Sequence, residues 1–158
     1  TCMNNLKQIG LGFEMYLQDY NGFYPITSAN NDRIFEEWWQ TYGLRPYVKI
    51  TNRSSSVFRC PSDRTPYWAW NWDIALSYGA NGCLGSPTAR TKDSKILAPT
   101  KMSVVMDGNY RTVWWTGYYG NIIYRHSDGA NVLFADGHVE WRKKPFPNYA
   151  TTFWTGNP

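Results

Sequence analysis

The side chains able to do chemistry are few: two histidines, His126 and His138, three cysteines, Cys2, Cys60 and Cys83, and twelve carboxylates in a chain of 158 residues. The sequence holds no Gly-x-Ser-x-Gly elbow, no His-Glu-x-x-His helix and no phosphate-cradling glycine loop. Glu36 and Glu37 are adjacent and point apart on a helix, so they make a poor acid/base pair. No catalytic residue is assigned, and the expectation is a protein that is not an enzyme. His126 and Asp136 invite a metal or catalytic reading, but the strand between them puts them roughly 17 to 20 Å apart at about 3.3 Å per residue. One ion cannot bridge that distance, so Asp136 is expected to shape a turn and His126 to cap a strand end. His138 with a second ligand elsewhere is a lesser candidate. A Ca²⁺ site needs several oxygens at one place, and Asp107-Gly108-Asn109 with Asp128 are its candidates; otherwise no cofactor is expected.

The elements that must position these residues are legible in the apolar pattern. Asp128-Gly129 and Asp136-Gly137 punctuate three strand-like runs between Asn121 and Trp141, and Asp-Gly between alternating apolar residues is a strong hairpin signal. A two-residue turn at Asp136-Gly137 pairs Phe134 with Val139 and Val132 with Trp141. A three-residue loop, Ser127-Asp128-Gly129, pairs Tyr124 with Val132 and Ile122 with Phe134. Both turns then agree on one buried face of Ile122, Tyr124, Val132, Phe134, Val139 and Trp141, in a meander over about residues 121–142. Val104, Val105 and Met106 read as a further buried strand.

At the other end, Leu6, Ile9, Phe13, Leu17 and Tyr20 recur at three- and four-residue intervals, the apolar stripe of a helix over about residues 3–20. Asn21-Gly22 and Pro25 stop it. The middle of the chain is rich in Gly, Pro, Ser, Asn and Asp and is expected to form long packed loops with brief strands, after a short amphipathic segment over residues 34–39. Sixteen basic against twelve acidic residues leave a net charge of +4, scattered apart from Arg142-Lys143-Lys144. With no RNA motif, zinc-finger spacing or basic helix, nucleic acid is not an expected partner. No stretch approaches the roughly 18 to 20 apolar residues of a membrane span, and one domain over residues 1–158 is expected.

Four stretches carry a family resemblance. His126, nine residues and then Asp136-Gly137 resembles the signature of the pseudopilin-like proteins known by their H-x9-DG motif. Cys2-Met3-Asn4-Asn5-Leu6-Lys7-Gln8-Ile9-Gly10-Leu11 resembles the segment following the hydrophobic prepilin helix in that family. Arg59-Cys60-Pro61-Ser62-Asp63 and Ser77-Tyr78-Gly79-Ala80-Asn81-Gly82 look like its two internal landmarks, in order. The resemblance implies an α+β, pilin-like fold with the N-terminal helix packed on an antiparallel sheet. It implies a structural subunit of a bacterial type II secretion pseudopilus or type IV pilus-like assembly, with other pseudopilin or pilin subunits and the secretion machinery as partners. It also implies anchoring in the inner membrane through an upstream apolar helix, and placement in the cell envelope, periplasmic or extracellular.

A different class of function rests on tryptophan. Trp68-x-Trp70-x-Trp72 at period two places three indoles on one face of a strand, a platform for stacking sugars, and Trp114 and Trp115 add to an adhesive reading. The alternative is that these are core or edge aromatics. For the cysteines, an exported domain meets an oxidising compartment. A Cys60–Cys83 bridge closes a loop of about 24 residues, worth about 3 kcal/mol in the chain-entropy treatment, and leaves Cys2 unpaired. The alternative is three free thiols.

Overall fold

Helix α1 (Cys2–Asp19) forms where the apolar stripe requires it and buries Leu6, Ile9, Phe13 and Tyr16, with Leu17 packed against the same cluster. It stops where Asn21 and Gly22 turn left-handed, at φ 52° and 77°, and the Gly22 N–H donates to the Leu17 carbonyl. The computed structural model from which this is drawn describes residues 1–27, 43–48, 57–68, 75–86, 88–110, 112–113, 121–146 and 152–158. The amphipathic segment expected over residues 34–39 lies outside them.

The helix packs on a sheet. Its strands are β3 (Tyr78–Asn81), β4 (Ser103–Asp107), β5 (Thr112–Val113), β6 (Gly129–Phe134) and β7 (Val139–Lys143), preceded by a separate pair, β1 (Tyr67–Trp68) and β2 (Ala75–Leu76). The order is β5-β3-β4-β6-β7, antiparallel throughout except for the parallel β3–β5 pair. The fold class is therefore α+β: an 18-residue N-terminal helix on a five-stranded, mostly antiparallel sheet. Gly10 sets how closely the two layers approach, because a Cβ there would lie 2.9 Å from Leu133 Cδ1.

Both faces of the sheet are covered, which the one-sided expectation missed. On the helix side lie Tyr78, Ala80, Val105 and Leu133. On the other, Met106, Val113, Val132 and Phe134 meet Phe153 and Trp154 of the short C-terminal helix α2 (Thr152–Thr155). Two polar residues hold α2 there. Asn81 Nδ2 donates to the carbonyls of Ser103 and Trp154 at 2.8 and 2.9 Å, and Ser103 Oγ donates to the Phe153 carbonyl at 2.8 Å. Strand β4 is buried along all five residues, as a central strand between two layers must be.

Both hairpins differ in register from expectation. Leu133 faces Val139 and Asn131 faces Trp141, one residue out of step with the Phe134–Val139 and Val132–Trp141 pairing. The reason is the turn: the Phe134 N–H donates to His138 O across a three-residue loop, Ala135-Asp136-Gly137, with Gly137 at φ 86°. A slip of one moves every side chain of β7 to the opposite face, so Val139 joins the helix-side core while Trp141 is 42% exposed. At the first turn, His126 and Gly129 exchange both backbone hydrogen bonds around Ser127-Asp128, whose positive φ angles of 53° and 59° make a two-residue turn without glycine. Beyond that one bridge, residues 121–125 do not pair along β6, because β4 already occupies that edge. Instead Ile122 bridges Gly108 beyond the end of β4, so the expected three-stranded meander is a two-stranded hairpin.

The cysteine pairing is also corrected. Cys2 and Cys60 form the disulfide, with Cα atoms 5.2 Å apart, and Cys83 is free. Loop-closing arithmetic favoured the nearer partner, but packing of α1 against the 57–63 segment brings Cys2 and Cys60 together in the core. A closed loop spanning 58 positions is worth about 4 kcal/mol in the chain-entropy treatment. Burial pushes the Cys83 thiol up to about 11. Denatured without reductant, the chain should titrate one thiol and the Cys83→Ser variant none. In the folded protein, alkylation of Cys83 should stay slow at pH 8 and rise steeply only as the pH approaches 11. Two residual thiols in the Cys83→Ser variant would show that Cys2 and Cys60 are not joined.

Candidate functional site

The residues with chemistry converge at one end of the sheet. Asp107 closes the buried run of β4 at zero exposure, a carboxylate where the strand pattern calls for an apolar side chain. Its Oδ2 accepts the backbone N–H and Nδ2 of Asn131 at 2.7 and 3.1 Å, and its Oδ1 meets Arg125 Nη1 at 3.0 Å. Arg125 is itself nearly buried. It reaches Asp63 Oδ2 at 3.1 Å and donates to the carbonyls of Ser77 and Gly108 at 2.6 and 3.0 Å. Desolvation raises the Asp107 pKa above the usual carboxylate range, outweighing the opposing pull of the Asn131 N–H, Arg125 and His126.

His126 stands between this ionic cluster and the disulfide. Its Nε2 lies 3.3 Å from Asp107 Oδ2 and 3.6 Å from Cys60 Sγ. Trp141 Nε1 donates to the His126 carbonyl at 2.7 Å. A nucleophile triad would need the carboxylate on one ring nitrogen and the thiol on the other, whereas here both face the same nitrogen. Cys60 has zero exposure, so the disulfide is not presented to a substrate. What the arrangement does is fasten. Around Cys2, Tyr78 Oη donates to the Cys2 carbonyl at 3.4 Å and Asn5 Nδ2 donates to the Arg59 carbonyl at 2.8 Å, so the first turns of α1 are held covalently and by hydrogen bonds.

Asp136 and Gly137, the other end of the H-x9-DG spacing, lie in the β6–β7 loop. Asp136 Oδ1 accepts the His138 N–H at 3.2 Å, shaping the turn, and a Cβ on Gly137 would come within 2.9 Å of Glu14 Oε1 on α1. His138 stacks on the Phe134 ring at 4.4 Å with its ring nitrogens toward Asp136 and Glu140. The Ca²⁺ candidates face the protein's own groups rather than one another: Asp107 faces Arg125, exposed Asp128 meets Lys144 Nζ at 2.7 Å, and Asn109 Oδ1 accepts the Asn121 N–H. Of the tryptophan platform, Trp68 ends β1, while Trp70, Trp72, Trp114 and Trp115 lie outside the described residues.

Arg125 and Asp63 were not singled out from sequence as an ion pair. The signal was the acid at the end of an apolar run, Val104-Val105-Met106-Asp107, since a carboxylate in a buried strand demands a cation. Compared with protein-family models, curated proteins and solved structures, the chain matches none. Its helix-on-sheet layout is compatible with a pilin-like α+β fold.

Removing the cation should cost more than removing the charge it serves. Arg125→Met takes the cation from both Asp107 and Asp63 and is expected to destabilise by about 3–5 kcal/mol, whereas Asp107→Asn keeps an acceptor for the Asn131 N–H and should cost less. Lys144→Met, at the exposed pair with Asp128, should stay within about 0.5 kcal/mol. Chemical denaturation of the three variants checks the order, and equal costs for Arg125→Met and Lys144→Met would contradict it.

Proposed function

We propose that this chain is a non-enzymatic structural subunit of a type II secretion pseudopilus or type IV pilus-like assembly. Its partners are other pilin-like subunits and the secretion machinery, and it works in the cell envelope, anchored in the inner membrane before assembly. The observation that carries the reading is the division of α1 into two faces. The inward face is sealed on the sheet and locked by Cys2–Cys60, while the outward face presents Met3, Leu11 and Met15, the last two 59% and 50% exposed. A helix that needs no further packing for its own fold, yet keeps large apolar residues in solvent, is suited to contact neighbouring subunits. The disulfide is consistent with an oxidising, extracytoplasmic location. Among the described residues no helix is long and apolar enough to cross a membrane, so anchoring rests on the resemblance of residues 2–11 to the segment that follows a prepilin helix.

The test is made on the full-length, processed protein expressed with its assembly machinery. Wild type is expected in the sheared filament fraction, and Leu11→Glu combined with Met15→Glu is expected to deplete it there several-fold while leaving the circular dichroism of the 158-residue chain unchanged. Wild-type protein that never enters that fraction overturns the reading.

A further inference from the structure

The group around His126 has a second chemistry. The donor atoms of Cys2, Cys60 and His126 all lie within 4.8 Å of one another, and Asp107 Oδ2 sits 3.3 Å from the same imidazole nitrogen. In a tetrahedral zinc site, with bonds of about 2.3 Å to sulfur and about 2.05 Å to nitrogen, ligand atoms are spaced by about 3.6 Å from S to N. The observed edge is 3.6 Å from Cys60 Sγ to His126 Nε2. The Cys60 sulfur and the His126 nitrogen thus already stand at the spacing of two ligands on one metal. We propose that when the Cys2–Cys60 bond is reduced, Cys2, Cys60 and His126 hold a Zn²⁺ ion, with Asp107 beside His126.

The donor set fits that ion. Two thiolates and an imidazole suit Zn²⁺ and not Ca²⁺ or Mg²⁺, which take oxygen. The surroundings are fixed, because Asp107, 3.3 Å from the His126 imidazole, is itself held by Arg125 and by the Asn131 N–H, as the outer partners of metal ligands commonly are. The disulfide and the zinc site are mutually exclusive, since a disulfide sulfur carries no thiolate charge. A phosphine reduces the bond by giving two electrons to the sulfurs; water supplies the oxygen of the phosphine oxide and the two protons of the thiols. Zinc displaces those two protons on binding. In either state the first turn of α1 stays fastened to the 57–63 segment, covalently when oxidised and through the metal when reduced.

The test uses the Cys83→Ser chain, so that only Cys2 and Cys60 supply thiols, reduced with a phosphine and titrated with Co²⁺. One Co²⁺ per chain is expected, with thiolate-to-cobalt charge transfer and the intense visible bands of a tetrahedral site, displaced by Zn²⁺. The oxidised chain should bind none. Cys2→Ser and His126→Ala should each weaken binding by about tenfold or more. Absence of stoichiometric binding, weak octahedral bands, or undiminished affinity in His126→Ala overturns the proposal. If the reduced chain loses its fold without metal, Zn²⁺ must restore the native circular dichroism, and failure to do so overturns it equally. His126→Gln replaces His126→Ala if the latter does not fold.

Discussion

Asp107 is a carboxylate at zero exposure at the end of the central strand, and several kcal/mol of desolvation must be offset before the chain can fold around it. The groups that offset it come from segments far apart in sequence: Arg125 and His126 from the stretch before the last hairpin, and Asn131 from β6. Asp63, beside the disulfide, shares Arg125. Each of these arrives only if its segment is in place, and a one-residue error at β6 would take the Asn131 N–H and amide away from the buried Asp107 carboxylate. The ionic cluster is thus a register device more than a source of net stability, since a well-packed apolar replacement could stabilise as much.

The helix depends on the same end of the sheet. Cys60 lies against His126 on one side and is bonded to Cys2 on the other, which joins the first turn of α1 to the ionic cluster. Further along the helix, Gly10 meets Leu133 and Glu14 meets the Gly137 loop. The two ends of the H-x9-DG spacing therefore serve one helix at two places. His126 acts near its beginning through the disulfide, and Gly137, at φ 86°, closes the β6–β7 loop beside Glu14 further along.

How much of this could be read from the residues follows from how local each determinant is. The helix was legible because Leu6, Ile9, Phe13 and Leu17 repeat at its own period, and its end because Asn21-Gly22 is chemistry of the backbone alone. The β6–β7 hairpin was legible as a hairpin but not in register, and the strand expected before it did not form. Asp-Gly fits a two-residue turn and also the end of a three-residue loop, and the choice depends on the opposite face, where Phe153 and Trp154 cover Val132 and Phe134 from the far end of the sequence. The site was half legible. His126, Asp107 and Cys60 were all singled out, each for a different reason, but their convergence was not, because it rests on Arg125 reaching both Asp107 and Asp63 across the fold.

The fastening has a mechanical consequence that depends only on geometry. A pull along the axis of α1 meets a covalent bond at Cys2, interlocking of Gly10 with Leu133 midway, and, at the far end, Arg90, which donates to Tyr16 Oη and to the Tyr24 carbonyl at 2.9 and 2.7 Å. Sliding the helix by one turn, about 5.4 Å, would break all three together rather than in succession. The helix is thus tied to the 57–63 segment, to β6 and to the loop carrying Arg90, and the exposed Met3, Leu11 and Met15 ride on a helix fastened at three places. A surface held in that way can be matched by a neighbour without first paying the entropy of ordering it.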